Sequence, residues 1–534
     1  VEDAVYEADV MFDDIRTAIE NFAPEQVLEE FTEDFSGDTP FDAAAGEPQK
    51  RYDPFGVESF AFAADERPLR ERVESFLGGF DLVENCSAKF ARVDSYGGGA
   101  LRGLTKWSIR GRAGEMLVKV SARFETIAVC GAGGWRIAFM RRTEGAVLRC
   151  ARPVFRDVTA RTGIRFPAGR ACGDPAYAGT AASCHGCTYR TPFIQLGGLA
   201  VADYDGDGRV DFAVIRPGKN LLYRNLGGFR FEDVTERAGI GHGGFGASGL
   251  WLDYDNDGDL DLLTTSLCRH EEAEDDGAIH LYHNDGGVFR EVTAEAGLVR
   301  HGAAFAAAAA DYDGDGDLDV YVGFYGGTFR SAGELTYGPG TESYLDARNG
   351  EPNALFRNWG DGTFEEVGGE LGVADTGWTL AVLFTDLDGD GAPDLYVVND
   401  FGRNVLYLQR GGAFVDATES TGAADPGFGM GAAVADFDGD GRFDIYVSNM
   451  YSTAADRIIP RLPEELAVRL RKASRGNTLL HAGGSGRFED VSGESGAGSA
   501  GWAWGCAVLD ALNRGAADIY VANGFLTGLS RVDL

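Results

Sequence analysis

Basic residues are scarce in this chain. Its 534 residues hold 48 Lys and Arg against 84 Asp and Glu, a formal net charge of −36. So acidic a protein repels a phosphate backbone and an anionic bilayer surface. Nucleic acid and adhesion to charged membranes are therefore excluded as partners, and cations are favoured. Long hydrophobic runs are missing too: no apolar stretch approaches the ~18 residues of a membrane-spanning helix. Only seven histidines occur, none before His185. There is no G-x-S-x-G, P-loop or H-E-x-x-H motif. Cysteine is limited to Cys86, Cys130, Cys150, Cys172, Cys184, Cys187, Cys268 and Cys506. The even number suits an oxidising compartment, although in a long chain that signal is weak. The first residue is Val1 rather than Met. It reads as a mature end left by removal of a targeting segment, and a secreted, cell-surface or periplasmic location is expected.

Glycine is abundant, with 77 residues, which calls for many tight turns and short strands. An acidic nonapeptide recurs. DYDGDGRVD begins at Asp203, DYDNDGDLD at Asp253, DYDGDGDLD at Asp311, DLDGDGAPD at Asp386 and DFDGDGRFD at Asp436. A degraded sixth copy, DALNRGAAD, begins at Asp510. Between these lies a second signature: FRDVTARTGI at Phe155, FEDVTERAGI at Phe231, FREVTAEAGL at Phe289, FEEVGGELGV at Phe364, FVDATESTGA at Phe414 and FEDVSGESGA at Phe488. Short apolar runs such as LLYRN (221–225), HLYHN (280–284) and ALFRN (354–358) complete the unit. Each repeat thus reads as four short strands, with an Asp loop between the first two and a segment such as FRFEDVT as the fourth. That is the pattern of a propeller blade.

The register favours a closed ring. FRDVT at 155–159 has no Asp loop before it, and the last Asp loop has no such strand after it. Joining the two ends removes open sheet edges. Six repeats are countable, and an unmarked seventh blade would fall within 160–198. The expected fold class is mainly β: a closed β-propeller over 151–534 carrying insertions at 165–198, 327–350 and 452–477, preceded by an α+β domain over 1–150.

In D-x-D-x-D-G-x-x-D, positions one, three and five bring carboxylates to one point. Glycine at six permits a sharp turn, position seven offers a backbone carbonyl, and Asp at nine closes the shell. Hard oxygen donors in such a loop suit Ca²⁺. The expected ligands are Asp203, Asp205, Asp207, the carbonyl of Arg209, and Asp211; Asp253, Asp255, Asp257, the carbonyl of Asp259, and Asp261; Asp311, Asp313, Asp315, the carbonyl of Asp317, and Asp319; Asp386, Asp388, Asp390, the carbonyl of Ala392, and Asp394; and Asp436, Asp438, Asp440, the carbonyl of Arg442, and Asp444. About five Ca²⁺ sites follow. An EF-hand is excluded, because position twelve from Asp203 is Val214, within a strand-like run rather than a helix. In the sixth copy Leu512 and Arg514 replace two carboxylates, and Arg514 is expected to sit between Asp510 and Asp518 as a built-in cation.

On these motifs the chain resembles the FG-GAP/VCBS repeats of integrin-alpha-like propellers. It is most similar to the cartilage acidic protein family and its bacterial relatives, with WAWGCAVLDALNRGAADIYVANGF (502–525) resembling that family's terminal repeat. The resemblance spans about 155 to 525. It implies the propeller fold, Ca²⁺, an extracellular binding role, and often seven blades.

The first 150 residues read differently. Val5, Ala8, Met11, Ile15, Ala18, Ile19 and Phe22 recur at helical spacing, so 3–22 is expected to be a helix. Pro24 opens a second one through Val27 and Phe31. A polar stretch (36–56), a helix within 66–80 and long strands (KFARVDSY, RGLTKWSIRGR, MLVKVSARFETIAVC, GWRIAFMRR) follow. The order resembles the nuclear-transport-factor-2-like fold, with packing or dimerisation as its expected role.

Three further features stand out. Cys172, Cys184 and Cys187 with His185, together with Cys268, read as a disulfide framework or a transition-metal site. His242, His270, His280, His283 and His301 read, with His185, as surface and turn histidines, a transition-metal or catalytic site being the alternative, and His280 and His283 flank a strand. RIIPRLPEELAVRLRKASRGN (457–477) is a basic helical insertion beginning at Pro463. The functional reading is a binding or assembly protein for a protein or glycan partner. An enzyme with its site in the funnel or the Cys/His insertion is the alternative, and a subunit of a larger surface complex is a third.

Overall fold

A computed structural model describes residues 2–52, 56–151, 157–165, 197–216, 219–240, 246–266, 278–326, 345–451, 459, 462–484 and 486–523. The chain divides into two compact units, Val1–Asp157 with Thr453–Leu462, and Val158–Ser452 with Pro463–Leu534. No helix among the described residues is long and apolar enough to cross a membrane.

In the first unit, helix Glu2–Glu20 buries Ala8, Met11, Phe12, Ile15, Ala18 and Ile19 along one face. Helix Pro24–Glu29 follows, with Pro24 in its first turn where no N–H is needed. It stops short of Phe31, which instead opens strand Phe31–Gly37, paired parallel to strand Gly134–Cys150. Phe31 is buried there, edge-on to Phe35 and Phe41, so packing overrides the helical spacing. The polar stretch also holds a short hairpin, Lys50–Tyr52 with Val57–Phe60, too brief to show a period. After helix Leu69–Leu77 come four long strands in antiparallel succession: Leu82–Gly97, Ala100–Ala113, Met116–Gly131 and Gly134–Cys150. Phe12 meets Phe90 and Trp107 edge to face, and Phe41 meets Trp107. Asp42 is buried and is held by Nη1 of Arg72 and Nη1 of Arg142, each at 3.0 Å, and by the Thr39 hydroxyl. A buried carboxylate so paired avoids the cost of an isolated charge.

The second unit is a row of small antiparallel sheets. The first has strands Gly198–Ala202, Asp211–Ile215, Leu221–Asn225 and Phe231–Asp233. The second has Gly246–Leu252, Asp261–Ser266, Ile279–Asp285 and Val288–Glu291. The third has Ala304–Ala310, Asp319–Phe324, Ala354–Asn358 and Phe364–Glu366. The fourth has Thr379–Thr385, Asp394–Asn399, Val405–Arg410 and Ala413–Asp416. The fifth has Gly429–Ala435, Asp444–Asn449, Thr478–Gly483 and Arg487–Asp490. A pair, Ala503–Leu509 with Asp518–Asn523, ends the row. First strands of successive sheets run side by side, from Gly198–Ala202 through to Ala503–Leu509. The second strands are wholly buried from the second sheet to the fifth, as expected of a strand covered on both faces.

Among the described residues the unit is a set of separate small sheets, none closed into a barrel, with Leu199, Val201, Val508 and Tyr520 exposed at the two ends of the row. Two expectations change. The fourth strand is shorter than FRFEDVT. Asp233 Oδ1 accepts hydrogen bonds from Thr235 N and Oγ1, turning the chain into one helical turn, Thr235–Ala238. His280 and His283 lie within a strand rather than beside one.

The glycine that closes the second signature has a distinct task. Gly239, Gly297 and Gly422 have φ of +85°, +76° and +78°. A Cβ on each would stand 2.7–2.8 Å from the carbonyl oxygen of Phe289, Phe364 or Phe488, the phenylalanine that opens the signature of the following sheet. Only glycine permits both the backbone angle and the approach. Gly163 stands in the same relation to Phe231 of the first sheet. The basic helix of the insertion, Glu464–Ala473, begins after Pro463 and buries Ala467 and Ala473.

Candidate metal centres

Each Asp loop joins the first two strands of its sheet, and its hydrogen bonds repeat from copy to copy. In the third loop, Asp311 Oδ1 accepts from the N–H of Gly314 (2.7 Å) and Asp315 (3.0 Å), and Oδ2 from Gly316 (3.0 Å). Asp386 and Asp436 do the same in the fourth and fifth loops. The position-five carboxylate accepts from the position-seven N–H: Asp207 from Arg209, Asp257 from Asp259, Asp315 from Asp317, Asp390 from Ala392 and Asp440 from Arg442. Position nine is buried in all five loops, at Asp211, Asp261, Asp319, Asp394 and Asp444. One of its oxygens accepts from a backbone N–H of the third strand: Asn225, Asn284, Asn358, Gln409 or Ala482. In the second to fifth loops the other accepts from the position-two N–H, that of Tyr254, Tyr312, Leu387 or Phe437.

Position three is different. Oδ1 of Asp255, Asp313 and Asp388 is buried without a hydrogen-bond partner, as are Asp253 Oδ1 and Asp211 Oδ2. Orphaned carboxylate oxygens at the centre of a loop are costly unless a cation meets them. Burial first, then nearby loop aspartates, push Asp211 and Asp394 up to about 6 and Asp261 and Asp319 up to about 7, against the pull of the backbone N–H donors. Asp203, Asp205 and Asp211 offer oxygens to one point, as do Asp253, Asp255 and Asp257, and Asp311, Asp313 and Asp315. An all-oxygen set of this kind suits a hard divalent ion.

The sequence did not reveal the cationic side chains that face the loops. Arg224 engages Asp205 and Asp207, and Arg209 engages Asp207. Arg357 Nη2 lies 2.8 Å from Asp313 Oδ2, Arg410 meets Asp388 and Asp390, and Arg442 meets Asp440. In the second loop the place of Arg224 and Arg357 is taken by His283, and in the fifth by His481. The clue was the residue before the last position of LLYRN, HLYHN and ALFRN. Local charge therefore differs. Four aspartates against two arginines leave −2 at the first loop. Five against Arg357 leave −4 at the third, and the five of the second pair with no arginine. The fourth and fifth loops stand at −3.

Third-strand amides tie loops of neighbouring sheets together. Asn284 Nδ2 donates to Tyr204 O (3.1 Å), Asn358 Nδ2 to Tyr254 O (2.7 Å) and Gln409 Nε2 to Tyr312 O (2.7 Å). Each acceptor is position two of the preceding loop. Asn256 Nδ2 adds a bond to Asp317 Oδ1 at 2.7 Å. In the sixth copy the Arg514 guanidinium pairs with Asp518, while Asp510 accepts from the backbone N–H of Leu512, Arg514 and Gly515. The arginine thus contacts one of its two expected carboxylates. A cavity of about 520 Å³ lies over the second loop, lined by Tyr254, Asp255, Asp257, His283, Arg290 and Glu295 among others.

Cys172, Cys184, Cys187, His185, His242, Cys268 and His270 lie outside the described residues. Among the described residues Cys86, Cys130 and Cys506 form no disulfide. His301 is exposed.

No curated protein sequence matches this chain. Solved structures similar to it include an Agrocybe aegerita lectin described as recognising non-reducing terminal N-acetylglucosamine, at 18% identity over 61% of this chain and 74% of that one, TM-score 0.35. The Vibrio cholerae biofilm matrix protein Bap1 is similar at 15% identity over 56% of this chain and 40% of that one, TM-score 0.26. A putative scytalone dehydratase from Novosphingobium aromaticivorans is similar at 14% identity over 29% of this chain and 99% of that one, TM-score 0.19. Residues 203–264, 270–322, 344–397 and 386–447 match the FG-GAP-like repeat, so the chain carries four repeats of that family.

Proposed function

We propose that this protein is a calcium-stabilised binding protein, secreted or periplasmic, whose second unit closes into a β-propeller and captures a protein or glycan partner, alone or within a larger assembly. The observation that carries the reading is the set of buried, partnerless carboxylate oxygens at the loop centres, in loops that share one hydrogen-bond frame. Ca²⁺ would be held by positions one, three, five and nine and the carbonyl of position seven, and would supply the positive charge these oxygens lack. The chain's own groups do the rest. Backbone N–H donors orient Asp311, Asp386 and Asp436, and the amides of Asn284, Asn358 and Gln409 pass the position of one loop to the next sheet.

Closure is supported by Gly163: the turn Thr159–Thr162 that it ends meets the Phe231 carbonyl of the first sheet as the turn ending at Gly239 meets the Phe289 carbonyl of the second, the relation that elsewhere links successive sheets. The exposed apolar residues at both ends of the row are the surfaces such closure covers. The FG-GAP-like repeats support a binding role. For the first unit, a nuclear-transport-factor-2-like fold is supported by three helices and a sheet of long antiparallel strands with one parallel edge pairing.

The test is calcium removal from the full chain. Calorimetry is expected to show a lower melting temperature in EDTA, restored by Ca²⁺, with about five ions bound per chain by equilibrium dialysis. Capture on glycan and protein arrays is expected to weaken with it. An EDTA-insensitive melt with no bound calcium refutes the proposal.

A further inference from the structure

We propose that the second loop also holds a borderline transition metal, with Zn²⁺ as the probe, through His283, Asp255 and Asp261. This deepens the metal-loop reading above and rests on it.

His283 Nδ1 lies 3.2 Å from Asp255 Oδ2 and 3.4 Å from Asp261 Oδ1. The atom is buried, yet it makes no hydrogen bond to either oxygen. An imidazole between two carboxylates at hydrogen-bonding range, but aligned with neither, is placed as a shared ligand would be. A tetrahedral ion with bonds of about 2.0–2.1 Å sets its donors about 3.3 Å apart, which both distances match. One imidazole nitrogen with two carboxylates is a set that borderline metals take and that a pure oxygen shell does not offer. Asp261 is wholly buried and fixed by the N–H of Asn284 and Tyr254, so one ligand is already positioned. Asp255 keeps its other oxygen, Oδ1, without a partner and free to serve the loop centre. His283 and Asp255 also line the cavity over this loop, so a coordination position is open to water or a small ligand.

The sister loops provide the contrast. At the same register the first and third carry Arg224 and Arg357, whose fixed charges occupy the position-three carboxylate. The fifth carries His481, but there Nδ1 is drawn to Asp444 Oδ1 at 3.0 Å in a hydrogen bond and stands 3.6 Å from Asp438. The second loop alone among the five combines an unbonded imidazole with five aspartates that no arginine pairs.

Metal-free full-length protein, reloaded with saturating Ca²⁺, is titrated with Zn²⁺ by calorimetry and with Co²⁺ by visible absorption. His283→Gln and His283→Arg are compared with wild type. The arginine is the residue the sister loops carry, so a folded protein is expected. The expected result is loss of one Zn²⁺ equivalent and of tetrahedral Co²⁺ bands in both variants. Zn²⁺ affinity at that site should fall by more than the about 10–100-fold that loss of a supporting residue costs, with calcium stoichiometry unchanged. Wild-type zinc stoichiometry and affinity in both variants overturns the proposal, as does zinc that calcium fully displaces from wild type. Calcium binding without any zinc binding removes this inference alone, whereas absence of both removes the calcium reading as well.

Discussion

Truncating Asn358 is expected to cost about 1–3 kcal/mol more than truncating Asn225, and the difference is the strength of one bond between sheets. The two residues hold the same place in their repeats. Each side-chain oxygen accepts from a turn glycine, Gly360 or Gly227, and each Nδ2 donates to its own loop, at Leu318 O (3.2 Å) or Val210 O (2.9 Å). Each backbone N–H serves the position-nine carboxylate, which Ala retains. Asn358 makes one further bond, to Tyr254 O at 2.7 Å in the preceding loop. Tyr254 and Asn358 are both buried, so water does not replace the lost donor. An acceptor stranded in this way costs about 1–3 kcal/mol, and the total for Asn358→Ala should reach about 2–4 kcal/mol. Urea denaturation of the full chain in saturating Ca²⁺, with Asn225→Ala and Asn358→Ala side by side, measures the difference, provided the slopes agree. Equal losses, within about 0.5 kcal/mol, would refute the idea that third-strand amides join the sheets.

Two further outcomes are expected. Gly297→Ala meets both a positive φ and the Phe364 carbonyl, and should destabilise by at least about 1–3 kcal/mol, whereas alanine at Gly369, where no atom stands nearby, should be nearly neutral; a thermal melt of the two variants separates these cases. Burial pushes Asp400 up to about 6, although the Tyr325 hydroxyl donates to it at 2.8 Å. The folded state therefore holds the proton longer than the unfolded chain, and stability is lost as pH rises from about 4 through 6, by up to about 3 kcal/mol. Asp400→Asn should flatten that slope and stabilise the protein at neutral pH; an unchanged slope between pH 4 and 7 in denaturation series would contradict it.

Much of the repeat unit could be read in the chain because its signals are local. Five aspartates at fixed spacing around a glycine describe a turn, and LLYRN or ALFRN describes a buried strand, without reference to anything distant. The partners of those aspartates could not be read, because Arg357 and His283 reach the loops across a sheet, 44 residues from Asp313 and 28 from Asp255 in sequence. The glycine of the second signature was visible as a motif, but its reason, the carbonyl of Phe364 or Phe488 in the next sheet, is again non-local. In the first unit the long strands declared themselves by alternation, whereas Phe31 was drawn from helical spacing into a strand by contacts with Phe35 and Phe41.

Each four-stranded sheet of the second unit has one end occupied by its Asp loop and by the turn from third to fourth strand. The connection from second to third strand leaves from the opposite end, and it is there that the chain lengthens: 266 to 279, 324 to 354 and 449 to 478. Length can therefore be added on that side without disturbing a carboxylate or a glycine on the other. The repeat thus varies in length at one end while its loop end keeps one geometry, and a foreign peptide grafted into the connection between 266 and 279 should leave the hydrogen bonds of the Asp loops unchanged.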